Sequence, residues 1–197
     1  MTWIKPSKVW MAYRSGFTLL KDKNQSRILA LDLSRPQFEL LLMQAKLSSH
    51  REEESSRGEH KNNETSCRNS NVVVQWDPER VMTLVDGATD HKNVFTSRLQ
   101  NIRSIQIGLR GTSVEALLDP ELVLKITDVT PDFRNALSAL QNGNVEEANS
   151  ALWPDGITEE TVHLPLKLMK VLGMPSKETD EIEEENADAV ARSKPKK

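Results

Sequence analysis

An α+β domain, with a single mixed sheet and short flanking helices, is the fold class that this sequence predicts, on three observations. Alternating or β-branched apolar stretches recur at 27–33, 72–76, 103–109 and 122–129, each about the length of one strand. Between them lie segments whose apolar residues recur at helical intervals, with Pro near the starts and Gly near the ends. The two kinds of segment interleave without any repeat period.

The elements follow in order. Pro6 sits near the start of a helix that carries Val9, Trp10, Tyr13 and Phe17 on one side, with Gly16 as its stop. RILALDL (27–33) alternates as a strand, and both of its faces are apolar enough to be buried. Ser34 stands three residues before Gln37 in a capping-box spacing, and Phe38, Leu41, Leu42 and Ala45 follow as a buried helical stripe. VVVQW (72–76) is a β-branched strand that the turn-forming pair Asp77-Pro78 is expected to end. In RSIQIGL (103–109) Arg103, Ile105, Ile107 and Leu109 share one face and Gln106 takes the other. Thr112 or Ser113 caps a helix through Leu118, and LVLKITDV (122–129) returns as a strand with Leu122, Leu124, Ile126 and Asp128 on one face. Thr130-Pro131-Asp132 starts a helix with Phe133, Ala136, Leu137 and Leu140 inward and Gly143 at its end. Helices over 145–153 and 159–172 complete the domain, the second bent or restarted by Pro165.

Composition sets the limits around this domain. Residues 48–71 contain no aliphatic or aromatic side chain, so they bury too little surface to offset their ordering entropy and read as a disordered insertion. Residues 174–197 run acidic and then basic, a solvated tail whose last residues, KPKK, have the composition of a nuclear address. One domain over 1–173, interrupted by the insertion, is the expected organisation, with roughly 150 residues left for a single core. A net charge of −3 argues against a protein that coats nucleic acid. No apolar run approaches membrane-spanning length and no signal peptide opens the chain, so the reading is cytoplasmic or nuclear, with no membrane. The single cysteine, Cys67, lies in polar surroundings and reads as an exposed thiol.

Nucleotide-binding glycine loops, zinc-protease, serine-hydrolase and CxxC patterns are all missing. The four histidines lack ligand spacing, so no metal is expected, and His91 with Asp86 and Asp90 reads as a polar loop. Three clusters remain. Four of the nine aromatic residues fall within residues 3–17, where Trp10 and Tyr13 interleave with Lys5, Ser7 and Arg14. Cations and a hydroxyl beside aromatic rings suit a phosphate-bearing ligand with a stacked ring, and equally suit a core helix with a charged outer side. Gln75-Trp76-Asp77-Pro78-Glu79-Arg80 places an amide, an indole and two acids at a strand end, where ligand sites often form and where turn chemistry alone also accounts for Asp77-Pro78. Arg103 and Gln106 share a strand, and Asp128 ends the strand expected beside it, so a buried Arg103–Asp128 ion pair is one expectation.

Five strings carry a family resemblance: TWIKPSKVWMAYRSG (2–16), QSRILALDL (25–33), VQWDPER (74–80), RSIQIGLRG (103–111) and ITDVTP (126–131). In this order they resemble the successive motifs of the domain-of-unknown-function 4291 family over most of residues 2–173. That family is similar in layout to ADP-ribosyltransferase-like folds, whose sheet splits into halves around an NAD cleft. The resemblance implies a nucleotide such as NAD, with Arg14, Lys5 and Ser7 at phosphates, Trp10 or Tyr13 at a ring, and Gln75, Asp77 or Gln106 orienting the ribose. It also implies departures. Family members carry a tyrosine-bearing strand and a helix before the TWIKPS motif, so this chain is expected to lack part of a sheet, as in a truncated or degenerate copy, and Lys8 stands where the family has an aromatic residue. Two rival readings are a non-enzymatic accessory or interaction protein, in which the conspicuous residues only pack, and RNA binding through the basic aromatic helix.

Overall fold

The β-branched run at 72–74 begins a strand much longer than its apolar part. The computed structural model describes residues 1–19, 23–48, 70–84, 95–156 and 158–175. Within them β1 (Thr2–Ile4), β3 (Lys46–Leu47), β4 (Val72–Met82) and β5 (Thr96–Leu109) form a four-stranded sheet in the order β1-β5-β4-β3. β3 runs parallel to β4 and the other pairings are antiparallel, so the sheet is mixed. β2 (Leu29–Leu33) and β6 (Val123–Asp128) form a separate two-stranded ribbon. The single sheet expected from the sequence is therefore two sheets, and the fold class α+β stands.

Asp77-Pro78 does not end β4. Pro78 pairs with Arg103, and the register slips between Pro78 and Arg80, so a bulge at Glu79 absorbs the missing proline N–H and the strand continues. β5 begins at Thr96, well before the apolar 103–109 segment, because its first half is mostly solvent-facing and carries no buried stripe. β1 and β3 are too short to show a period.

Side-chain alternation along β4 and β5 produces two unlike faces. Val72, Val74, Ile107 and Leu109 enter a core with Leu41, Leu42, Leu168 and Leu172, which come from α2 (Arg35–Leu42) and the end of α6 (Leu166–Val171). Trp76 joins this core and donates its indole N–H to the Leu172 carbonyl at 2.8 Å. The opposite face carries Gln75 and Asp77 across from Gln106 and Ser104. Gly108 belongs to that face too, and a Cβ there would meet the Trp3 ring at 2.9 Å, so the indole lies directly on the backbone. A second core gathers Val9 and Ala12 of α1 (Lys8–Ser15), Phe17, Met82, Phe95, and Phe133, Ala136 and Leu140 of α4 (Thr130–Gln141), closed by α5 (Val145–Leu152). α3 (Thr112–Glu115) runs on into a 3-10 turn, Ala116–Leu118, and its N-cap is Gly111 rather than Thr112 or Ser113.

Several helical expectations change in detail. The buried face of α1 is Val9, Ala12 and Ser15, while Trp10 and Tyr13 are half-buried. Ser34 is the N-cap of α2 without a side-chain bond, so the capping box is not made. Residues 158–165 have no regular structure and α6 starts after Pro165, because the residue preceding a proline is driven out of the helical region. Both faces of the strand at 27–33 are expected from the sequence to be buried, yet Leu29 is more than half exposed, as are Leu124 and Ile126 on its partner β6. Most of the insertion at 48–71, nearly all of the tail at 174–197, Cys67, and the His91, Asp86 and Asp90 loop lie outside the described residues.

Candidate functional site

The sequence-predicted residues meet where the N-terminus of α1 crosses β4 and β5. Ser7 has extended backbone angles and caps α1, its Oγ accepting from the Trp10 N–H at 3.1 Å and donating to Glu79 Oε1 at 2.7 Å. The bulge aims Glu79 toward the helix, and the same carboxylate oxygen accepts the Arg80 N–H at 2.7 Å. Lys5 places its ammonium 3.1 Å from Asp77 Oδ2, 3.1 Å from the Ser104 carbonyl and 3.5 Å from that of Ile105. The ammonium also lies 4.3 Å from the centre of a Trp10 ring. Its side chain is 1% exposed, and burial lowers the Lys5 pKa despite the hydrogen bond and charge of Asp77. Asp77 Oδ1 accepts from Gln75 Nε2 at 2.9 Å. Arg80, buried, stacks its guanidinium 3.2 Å from the Tyr13 ring centre and donates to Thr96 Oγ1 at 2.9 Å.

Six of the nine candidates, Lys5, Ser7, Trp10, Tyr13, Gln75 and Asp77, therefore converge, and Gln106 lies directly opposite Gln75 on the same face. Two do not join them. Arg14 is exposed in the last turn of α1, where a cation complements the helix dipole. Arg103 is exposed on the opposite face and donates to the Trp76 carbonyl at 3.5 Å. The Arg103–Asp128 pair is not formed, because β6 belongs to the other sheet; Asp128 lies 4.0 Å from Arg27 instead and accepts the Thr130 N–H at 3.0 Å. Lys5, Ser7, Gln75 and Asp77 are engaged with neighbouring groups, while Ser104 Oγ is buried without a hydrogen-bond partner. Lys5 and Ser7 hold carboxylates, so the cluster as built fastens α1 to β4.

Glu79 and Arg80 belong to the cluster that the sequence marks at 75–80 but not to its ligand candidates, and Ser104 and Glu159 carry no mark in the sequence. Glu79 had a usable signal, since it shares i, i+2 spacing with Asp77 once β4 is allowed to run through the proline. Glu159 had none, being far away in sequence and on an irregular segment; its Oε1 accepts the Lys8 N–H at 2.7 Å. Its pKa is raised, mainly by burial of the carboxylate and further by the charge of Glu79. A carboxyl with a raised folded-state pKa carries a cost that is fully present above that value and disappears as pH falls toward its unfolded value near ~4.3. Glu159→Gln keeps an oxygen for Lys8 and removes the charge. Glu159 as a whole residue is solvent-exposed, which screens the effect, so urea unfolding between pH 7 and pH 4 is expected to show the wild type gaining a small stability relative to Glu159→Gln as the pH falls; parallel curves would contradict the assignment.

On the other side of Lys5 lies a cavity of about 340 Å³ between β1 and β2. Ile4, Leu31, Leu33, Phe38, Ile107 and Phe133 are among its lining residues, and Lys5 and Lys8 also border it. Both ammonium groups are spent elsewhere, Lys5 on Asp77 and Lys8 on the Leu152 carbonyl at 2.8 Å. The stems of these lysines therefore add to an apolar wall.

A family model described as "Domain of unknown function (DUF4291)" matches residues 1–162. The chain belongs to this family. No curated protein and no solved structure matches it. This DUF4291 chain has, among its described residues, no group of three or more His, Cys, Asp or Glu side chains able to hold a metal. No helix among them is long and apolar enough to cross a membrane.

Proposed function

We propose that this DUF4291 chain is a non-enzymatic interaction protein that binds an apolar group in the cavity between β1 and β2. The observation that carries this reading is the contrast between the two sides of Lys5. On one side Lys5, Ser7, Gln75, Asp77, Glu79 and Arg80 are each hydrogen-bonded within the protein, and the buried Ser104 Oγ is the group there that has no hydrogen-bond partner. On the other, an open apolar cavity falls within the volume range of ligand sites. The neutral, environment-sensitive dye Nile red tests it. Its emission is expected to shift to the blue on titration with protein, and Leu31→Trp, which fills the cavity from β2, is expected to weaken binding at least tenfold while thermal unfolding stays cooperative. An unchanged titration in that folded variant overturns the reading.

A nucleotide such as NAD, in an ADP-ribosyltransferase-like arrangement, is the second reading. It is favoured by Gln75 and Gln106, half-buried and opposed across β4 and β5 next to Asp77, on the face of the sheet away from the apolar cavity. These three would orient a ribose, with Trp10 or Tyr13 at a ring. Phosphates would depend on Arg14, because Lys5 and Ser7 are committed to Asp77 and Glu79. Calorimetric heat with NAD that disappears in Gln106→Ala would support it, and no heat with NAD removes it.

A further inference from the structure

We infer that β4 and β5 hold a second binding site, for a terminal phosphate group, between Arg80 and Arg98 beneath Tyr13 of α1. Arg80, Arg98, Tyr13 and Thr96 build it, and none of them lines the apolar cavity, so it stands apart from that site. Arg80 and Arg98 face each other directly in the antiparallel register of β4 and β5, and residues so opposed share one side of the sheet. Like charges in that position destabilise the strand pair.

Arg80 is the more costly of the two. It is 5% exposed, and arginine is almost never so buried unless it is paired. Its guanidinium stacks 3.2 Å from the centre of the Tyr13 ring and donates from Nη1 to the Thr96 hydroxyl at 2.9 Å. A neutral ring and a neutral hydroxyl hold the group in place without matching its charge. The ion pairs among the described residues are Lys5–Asp77, Arg27–Asp128 and Arg35–Glu39, and neither Arg80 nor Arg98 belongs to one. Burial lowers the Arg80 pKa and the charge of Arg98 lowers it further, while Tyr13 acts in the opposite sense.

The donors that remain specify what fits. Nε and Nη2 of Arg80 make no hydrogen bond among the described residues and are not sealed from solvent, as the buried Ser104 Oγ is. With Tyr13 against one face of the guanidinium, an incoming group meets its edge, where parallel N–H groups match the oxygens of an oxyanion. Arg98, exposed on β5, supplies a second fork from the opposite strand. A carboxylate or a phosphodiester brings a single negative charge to these two cations. A terminal phosphate brings about −1.5 to −2 charge and three acceptor oxygens, enough for both forks.

The experiment is equilibrium dialysis of the full chain against labelled inorganic phosphate at constant ionic strength. Saturable binding is expected, with acetate displacing the label at least tenfold less well than unlabelled phosphate. Arg98→Ala, at an exposed position, is expected to weaken binding at least tenfold while thermal unfolding stays cooperative. Arg80→Lys keeps the charge and loses the fork, and a similar loss is expected in it. No saturable binding to the wild type, or equal binding to the folded Arg98→Ala chain, overturns the site, and equal displacement by acetate overturns its preference for phosphate. Asp86 and Asp90 stand in the connection between β4 and β5. Binding that arises only when both are replaced by Asn would mean that the chain's own carboxylates fill the site, which overturns a phosphate ligand.

Discussion

Asp77→Ala is expected to destabilise the fold by about 3–5 kcal/mol, the usual cost of leaving one member of a buried ion pair without its partner. Lys5 cannot swing its ammonium into water without drawing it away from the Ser104 and Ile105 carbonyls and from Trp10, since its side chain is 1% exposed. Gln75 loses its acceptor in the same step. Against a typical total of about 5–15 kcal/mol this is a large fraction. The double replacement Lys5→Met with Asp77→Leu removes both charges and is expected to recover most of the loss, because desolvation offsets much of what the pair contributes. Urea denaturation followed by tryptophan fluorescence measures both variants. A cost under about 1 kcal/mol for Asp77→Ala would place the pair in solvent.

Phe17 supports a prediction in which the usual order of two substitutions reverses. It is fully buried, meets Phe95 edge to face at 6.2 Å between ring centres, and stands at φ 54° in a left-handed turn with Gly16 at 55° and Thr18 at 71°. Phe17→Ala is expected to cost about 3–5 kcal/mol through lost burial and the cavity left behind. In a helix or strand, glycine is worse than alanine by roughly 0.5–1 kcal/mol. At a left-handed position alanine keeps a steric penalty of about 1–2 kcal/mol that glycine escapes. Phe17→Gly is therefore expected to be no less stable than Phe17→Ala, and to exceed it by up to about 1 kcal/mol. Thermal unfolding of the pair decides it, and a glycine variant clearly below the alanine one would contradict this turn geometry.

Both predictions concern features only partly legible in the sequence. Gly16 was readable as a helix stop, yet nothing in the string GFT says that Phe17 follows it in a left-handed conformation; its burial against Phe95 outweighs the local strain. Asp77 was readable as conspicuous, but Asp77-Pro78 is a turn signal, and local turn chemistry argued for ending β4 where tertiary pairing with β5 carries it on. Lys5, Ser7 and Arg14 look alike in the sequence as polar groups on an aromatic helix. They separate only when β4 arrives beneath the helix, giving Lys5 and Ser7 carboxylates to hold and leaving Arg14 in solvent.

The sequence by itself determined the class of the fold and the position of most elements, because period, proline and glycine act over a few neighbouring residues. It also carried the five strings that mark the family. Tertiary structure alone decided that the strands divide between two sheets, that Asp128 faces Arg27 instead of Arg103, and that an apolar cavity opens beside Lys5. Those outcomes depend on which strand edges meet across gaps of tens of residues, and no local pattern encodes the partner of an edge.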